Sequence, residues 1–436
     1  MKIVTILAAC VFLVCGMGAQ AELRAGVATV SITPLEEGIP TPLGGYGDRN
    51  GAPATGIRDT LNAKCLVFDW NGAAPERAKS ALVTLDACGV PPCVVEGSLK
   101  KAAVDGLTFE NVLMAASHSH TGLEGFSMDR RNIANNPHIG LFSEPVLNFV
   151  TDRIAQGLKK AAASLQPVTA GSGSIDLPGM NRNRRGDSFT DPGMTVFRLD
   201  AGGKPLAVFV NFTAHGTFVG PEEMLVSAEW AGQMQRTVEG LMPGVTCLYA
   251  NGAEGDQSPV EPKAESKYVQ AENYGKKVGA AAAKLAEALK PAPVTQFQVA
   301  MQWVKLPPRK GAPDFIKIAG DEYHVTQEQL DQILPLMFPD QAPIYGLRIN
   351  DFELVSFPGE PICQLGLSVK DTMRKAGIAH PCVSSDTGDG IGYILTADEY
   401  AQSGYEVTAS FYGDGLGQIF LDAATAMAKQ VAQPAK

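Results

Sequence analysis

The chain has few histidines, no basic block and one long apolar run, and each shortage excludes something. Only six histidines occur in 436 residues. No lysine- or arginine-rich stretch offsets a formal charge of −10, which argues against nucleic acid as a partner and against electrostatic docking on an anionic membrane. Beyond the first residues, no apolar run is long enough to cross a bilayer. The eight cysteines show no CxxC spacing of the kind that marks a structural zinc site. What is present is ordinary. With 45% hydrophobic residues, 19% charged residues and 46 glycines, the composition is that of a globular protein with ample core.

The one apolar run opens the chain. Lys2 precedes Ile3 to Val14, and Ala19-Gln20-Ala21 stands ahead of Glu22. A charged start, an apolar middle and a small-x-small site read as a secretory signal peptide over residues 1–21, so residues 22–436 are expected to be exported, periplasmic or secreted. Leu7-Ala8-Ala9-Cys10 could be taken for a lipoprotein cleavage box, but too little apolar chain precedes Cys10. Removal of the leader takes Cys10 and Cys15 and leaves Cys65, Cys88, Cys93, Cys247, Cys363 and Cys382. An oxidising compartment permits disulfides, and Cys88 and Cys93 are close enough to close a short loop. Disulfides or buried thiols are the expectation for all six.

Several apolar segments read as buried strands that run into polar or glycine-rich punctuation. Residues 81–85 end at Asp86, residues 112–116 at Ser117 and His118, residues 206–214 at His215, and residues 246–250 at "NGAEGDQSP". Helical patterns cover 145–165, 267–289, 326–337 and 415–432, and "GLRINDFELVSF" reads as a hairpin turning at Asn350-Asp351, followed by a helix from about Pro361. Strands alternating with helices predict an α/β fold, a mixed or mainly parallel sheet covered by helices in one large domain. Loops at one edge of such a sheet gather into a crevice. His118, His215 and the Asp256/Ser258 loop are therefore expected to converge.

In an extended segment residues i and i+2 point to the same side, so "SHSH" would present His118 and His120 to one space. Zinc takes imidazole nitrogen readily, and a catalytic site holds three or four protein ligands with a position left open. His215, also ending an apolar strand, is the strongest further candidate. His138, His324 and His380 lie in polar or helical surroundings and read as surface residues. From the residues alone, the histidines could equally be metal ligands, proton carriers or polar strand ends.

Five segments in order narrow this. "NVLMAASHSHTGLEGF" resembles the "HTHSGPGGF" segment of the neutral, non-lysosomal ceramidases. "PLAVFVNFTAHGTFVG", "LYANGAEGDQSPV", "VSFPGEP" and "GYILTADEYAQSGYEVTASFYG" resemble that family's later segments, and "PLGGYG" and "MNRNRR" fall in sequence with them. The resemblance implies a zinc amidase acting on an N-acyl lipid or another small N-acyl amide. It implies zinc held by His118, His215, Glu360 and Tyr393, with His120 beside the metal as acid or base. Ser258 is implied as nucleophile or substrate-orienting hydroxyl, and Arg182 as oxyanion stabiliser, with Arg184 or Arg185 as alternatives. Without the resemblance, Glu360 reads as an acid at a helix start, Tyr393 as a buried strand tyrosine, and Asp256 as a turn residue capping backbone.

Departures from the family pattern bear on substrate. Leu123 and Glu124 replace glycine-rich positions near the metal, and Arg58 stands where a family histidine falls. The C-terminal immunoglobulin-like domain of ceramidases proper is expected to be missing. An amidohydrolase barrel, the other class with HxH at a strand end, needs an eightfold β/α rhythm that is not visible. A non-catalytic exported binding protein is disfavoured, because a candidate stands at every zinc position.

Overall fold

The structure is a computed structural model that describes residues 22–71 and 79–433. The leader read over residues 1–21 lies outside the described residues. The fold is α/β with mixed sheets covered by helices, as the alternating pattern predicts, and it contains two large sheets. The larger has nine strands, in the order Thr246–Asn251, Lys204–Phe212, Gly193–Ala201, Gln166–Asp176, Leu23–Ser31, Asn62–Trp70, Lys79–Leu85 and Val112–Ala116, with Ala292–Pro293 paired to Gln166–Asp176. The smaller has four: Phe297–Lys305, Gln341–Ile349, Phe352–Ser356 and His380–Ser384.

The sheets pack face to face. Phe68, Phe197, Phe209 and Leu248 of the larger sheet form one apolar cluster with Tyr345, Leu347, Phe352 and Leu354 of the smaller. Helices cover the outer faces. Pro92–Ala102 and Glu144–Ala163 lie over one half of the larger sheet, and Glu229–Leu241 and Lys267–Ala288 over the other. Cys363–Lys375 and Leu416–Ala432 lie over the smaller sheet. Strands buried on both faces read as continuous apolar runs, which is why "LAVFVNF" and "VLMAA" announce themselves in the sequence. The hairpin turns at Asn350, held at φ 55°.

Most strand pairs are antiparallel, but three long pairs are parallel: Lys79–Leu85 with Val112–Ala116, Lys204–Phe212 with Thr246–Asn251, and Phe352–Ser356 with His380–Ser384. Parallel strands end at the same edge. Cys88, His118, His215, Glu254, Glu360 and Asp386 all follow the C-terminal ends of these six strands. Ligand crevices form at that edge of α/β sheets, and this placement brings together residues hundreds of positions apart.

Candidate active site

The loops are stitched before any side chain is considered. His120 N–H donates to Gly216 O at 3.1 Å, joining the two histidine loops. A Cβ on Gly216 would meet His118 O at 2.5 Å, so only glycine permits this approach. Val112–Ala116 is the last strand of its sheet. Its outer side is covered by the 386–388 segment, with Ala116 N–H donating to Asp386 O at 3.1 Å and Gly388 N–H to Met114 O at 2.9 Å. Glu360 and Tyr393 sit side by side in the short parallel pair Glu360–Pro361 with Tyr393–Ile394.

These ties converge three donors. Glu360 Oε2 lies 3.3 Å from His118 Nε2 and 3.2 Å from His215 Nε2, and that oxygen is buried without hydrogen-bond geometry to either. His118 is 4% exposed and His215 fully buried. The far ring nitrogens face acceptors: His118 Nδ1 is 2.9 Å from Cys88 O, and His215 Nδ1 2.7 Å from Glu254 O. A carbonyl partner fixes the proton on Nδ1 and leaves the Nε2 lone pair free, which is how proteins orient metal-binding histidines. Burial and the Arg184 guanidinium push His215 down to about 4, so its imidazole is neutral near pH 7. Burial alone would lower His118, but Glu360 and Asp386 hold it well above the usual imidazole range. Tyr393 Oη is 3.5 Å from His215 Nε2 and accepts from Arg184 Nη2 at 2.8 Å. Two imidazole nitrogens, an unpartnered carboxylate oxygen and a neighbouring phenol are a donor set that fits zinc.

His120 is in place for a reason other than the one its spacing suggests. The strand stops at Ala116, and His118 adopts φ 59°, so the i, i+2 rule of extended chain does not govern the pair. The turn nonetheless puts the rings 4.9 Å apart, with His120 Nε2 3.2 Å from His118 Nε2. His120 Nδ1 is buried without a partner. Burial, with His118 and His215 close by, holds this imidazole well below its ordinary value. Tyr46 packs edge-on against it at 4.8 Å.

The other sequence candidates lie around this centre. Arg182 is exposed, opposite half-buried Ser258 in the antiparallel pair Asn181–Asn183 with Gln257–Pro259. Neither lines the cavity described below. Arg184, one of its alternatives, is the arginine that reaches Tyr393, and it is anchored to Glu406 Oε1 at 2.7 Å. Arg185 pairs with Glu399 and Glu406. Asp256 behaves as a turn-and-cap residue: its carboxylate accepts from Asn183 Nδ2 at 2.7 Å and from Cys363 N–H at 2.9 Å, at the start of the helix. Burial raises it to about 6.

Of the two alternatives read for the cysteines, the structure has thiols: Cys88 and Cys93 are not bridged, and all six described cysteines are free. Cys88 lies at the histidines and Cys93 Sγ donates to Met128 O, because the turn into the helix Pro92–Ala102 carries the two in different directions. One expectation is corrected: His138 is no plain surface residue. It lines the cavity and packs against exposed His324, ring centres 4.1 Å apart and tilted by 41°, as the long 129–143 loop folds back over the site.

A cavity of about 200 Å³ opens above the centre. Its floor holds His118, His120, Glu360 and Tyr393, and its walls are largely apolar, including Phe126, Phe315, Leu330, Leu334, Met337 and Phe338. Much of that wall comes from the helices Phe315–Tyr323 and Gln327–Met337. Glu124 also lines it, accepting from Gly45 N–H at 3.2 Å and Phe126 N–H at 3.2 Å.

Comparison with known proteins gives this geometry a context. Neutral ceramidase of Pseudomonas aeruginosa is 23% identical over 415 residues, covering 76% of this chain and 62% of that protein. Neutral ceramidase B of Dictyostelium discoideum is 28% identical over 236 residues, covering 47% of this chain and 31% of its own length. The chain thus spans less than two thirds of the length of these relatives. A crystal structure of the Pseudomonas aeruginosa neutral ceramidase superposes with a TM-score of 0.79 at 22% identity, covering 96% of this chain and 76% of that one. A ceramidase complexed with C2 gives 0.78 at 21% identity, over 94% and 75%. At such identities these two establish likeness of fold. Residues 24–271, more than half of the chain, match the model of the neutral/alkaline non-lysosomal ceramidase N-terminal region, and the chain belongs to that family.

Proposed function

We propose that this chain is an exported zinc-dependent amidase that hydrolyses the N-acyl amide bond of ceramide-like lipids, releasing a fatty acid and an amine of the sphingosine type. The observation that carries the reading is the convergence of His118 Nε2, His215 Nε2 and the unpartnered Glu360 Oε2, with His118 and Glu360 on the floor of an apolar cavity. His118, His215 and Glu360 would hold the zinc, with Tyr393 as fourth ligand. When bound, the metal supplies Lewis acidity toward an amide carbonyl.

The chain's own groups do the rest. Cys88 O and Glu254 O hold the two ligand imidazoles in one tautomer. Arg184 steadies the phenol oxygen of Tyr393. His120, neutral and unpartnered at Nδ1, takes a proton from the attacking hydroxyl (water or Ser258) and returns it to the amine nitrogen as the C–N bond breaks. The apolar wall from Phe126 to Phe338 excludes water and suits an acyl chain.

The test is hydrolysis by zinc-loaded protein of long-chain N-acyl sphingosines beside N-acyl amino acids and short acyl amides. Release of fatty acid from the long-chain lipids is expected. Cleavage of short amides alone would remove the lipid substrate and keep the amidase. A specific observation favours that narrower reading: Glu124 sets a carboxylate in the cavity wall, which a cationic or strongly polar amine would match. No cleavage of any amide would remove the enzyme altogether.

A further inference from the structure

Glu124 is the acid of the cavity that the proposed zinc centre does not use. Among the described residues, Glu360 and Glu124 are the two carboxylates that line the cavity, and Glu360 belongs to the converging donors. The ceramidase pattern has glycine where Glu124 stands, so this acceptor departs from that pattern.

The geometry is that of a prepared acceptor. Glu124 Oε2 accepts from Gly45 N–H and Oε1 from Phe126 N–H, each at 3.2 Å. Gly140 packs against the stem, where a Cβ would meet Glu124 Cγ at 3.3 Å. An ionised carboxylate offers roughly four acceptor positions, and the backbone occupies only some of them. Fastening the loops does not require this side chain. They are already tied by backbone bonds, Gly44 N–H to Gly122 O at 3.1 Å and Cys88 N–H to Leu123 O at 2.9 Å. Arg49, which also lines the cavity, directs its guanidinium to the carbonyls of Gly44, His120, Gly220 and Glu223 rather than to Glu124.

Gly45 also sets where the acceptor stands relative to the reacting bond. Its N–H is on Glu124, while a Cβ on it would meet His120 Nδ1 at 2.1 Å. One residue of backbone thus separates the carboxylate from the proposed proton carrier. His120 must reach the amide nitrogen to return a proton as the C–N bond breaks. A donor on a carbon near that nitrogen then comes within reach of Glu124.

We infer that Glu124 forms a subsite for the amine portion of the substrate, accepting from a hydroxyl or ammonium group carried a few bonds from the scissile nitrogen. The apolar wall of Leu330, Leu334 and Met337 takes the acyl portion, so the substrate has one direction in the cavity. A site built to accept a hydrogen bond discriminates against the analogue that lacks the donor, because its polar group is then left unpaired. The inference rests on the amidase reading for the place of the amide nitrogen.

Three amides sharing one acyl chain test it: the octanoyl amides of ethanolamine, ethylenediamine (acylated once) and propylamine, which end in hydroxyl, ammonium and methyl. Binding is read by calorimetry in the zinc-loaded His120→Ala chain, and cleavage in the zinc-loaded wild type. The better of the two donor-bearing amides is expected to bind about tenfold or more tighter than the methyl one, and its identity tells hydroxyl from ammonium. Glu124→Gly, which restores the residue of the ceramidase pattern, should bring the two within about twofold. Equal binding of all three amides, or a preference that survives Glu124→Gly, would overturn the subsite. If the wild type nonetheless cleaves them, the amidase reading stands without it. A preference abolished by Glu124→Gly, with no amide cleaved by the wild type, would support the subsite and remove the amidase reading.

Discussion

At the scale of single residues, the two histidines of "SHSH" are expected to do different work. Both lie at the centre, and their Nε2 atoms are 3.2 Å apart. His118 faces Glu360 with its Nε2 edge, whereas His120 has a free Nδ1 toward Gly45. His120→Ala is therefore expected to retain zinc, measured by elemental analysis, while turnover falls roughly 10²–10⁴-fold, the usual worth of a proton carrier. Zinc lost together with activity would make His120 a ligand. Ser258→Ala should likewise keep the metal and lose activity, and an acyl adduct trapped on Ser258 would make it the nucleophile. A candidate ligand or proton-carrying pair was legible in this stretch because histidine is scarce and the run before it is so apolar. The αL turn at His118 was not, since φ 59° at a non-glycine residue is imposed by bonds to strands distant in sequence.

At the scale of elements, the helix Gln327–Met337 is predicted to govern acyl-chain preference. Its capping box, Thr326 with Gln329, fixes the start. Leu330, Leu334 and Met337 turn one face inward at i, i+4 and i+7 spacing, where they line the cavity. Leu334→Asp places a charge on that wall and is expected to raise KM for long-chain N-acyl amides about tenfold, taking the loss of one buried apolar contact as the measure. Short acyl amides should be cleaved as before, so the ratio of the two kcat/KM values is the readout. An equal loss on both would mean that the helix supports the fold and not the substrate. The sequence announced this helix within one residue of its observed start, because cap and periodicity are both local. Nothing local said that its apolar face looks onto a site. The helix Glu229–Leu241 and the antiparallel strands Leu23–Ser31 and Gln166–Asp176 give weaker signals, as they carry polar and glycine residues among their apolar ones.

At the scale of the whole molecule, stability is expected to depend on pH through buried carboxyl groups outside the proposed ligand set. Burial raises Glu353 to about 8, with both oxygens unpartnered, and Glu229 to about 8. Asp86 is raised by burial to about 6. In the unfolded chain these groups ionise near pH 4. Between that value and the folded one, the native state binds more protons than the unfolded state, so stability falls as pH rises. Denaturant midpoints at constant metal should drop from pH 5 to pH 8. Glu353→Gln should remove up to about 1 kcal/mol per pH unit of that slope. A midpoint that rises over this range would show that these acids are ionised in the native state.

By itself, the sequence determined the ordered motifs, the alternation of buried strands with amphipathic helices, and hence a mixed α/β fold with candidate ligands at strand ends. Those are local properties, written in residues within a few positions of one another. The tertiary structure decided how many sheets there are, which arginine meets Tyr393, where the apolar cavity lies, and that Asp386 backs the His118 ring at Nδ1. Each of these depends on which strands run parallel and therefore end at the same edge. Pairing between strands far apart in the chain sets that, and no short window of sequence contains it.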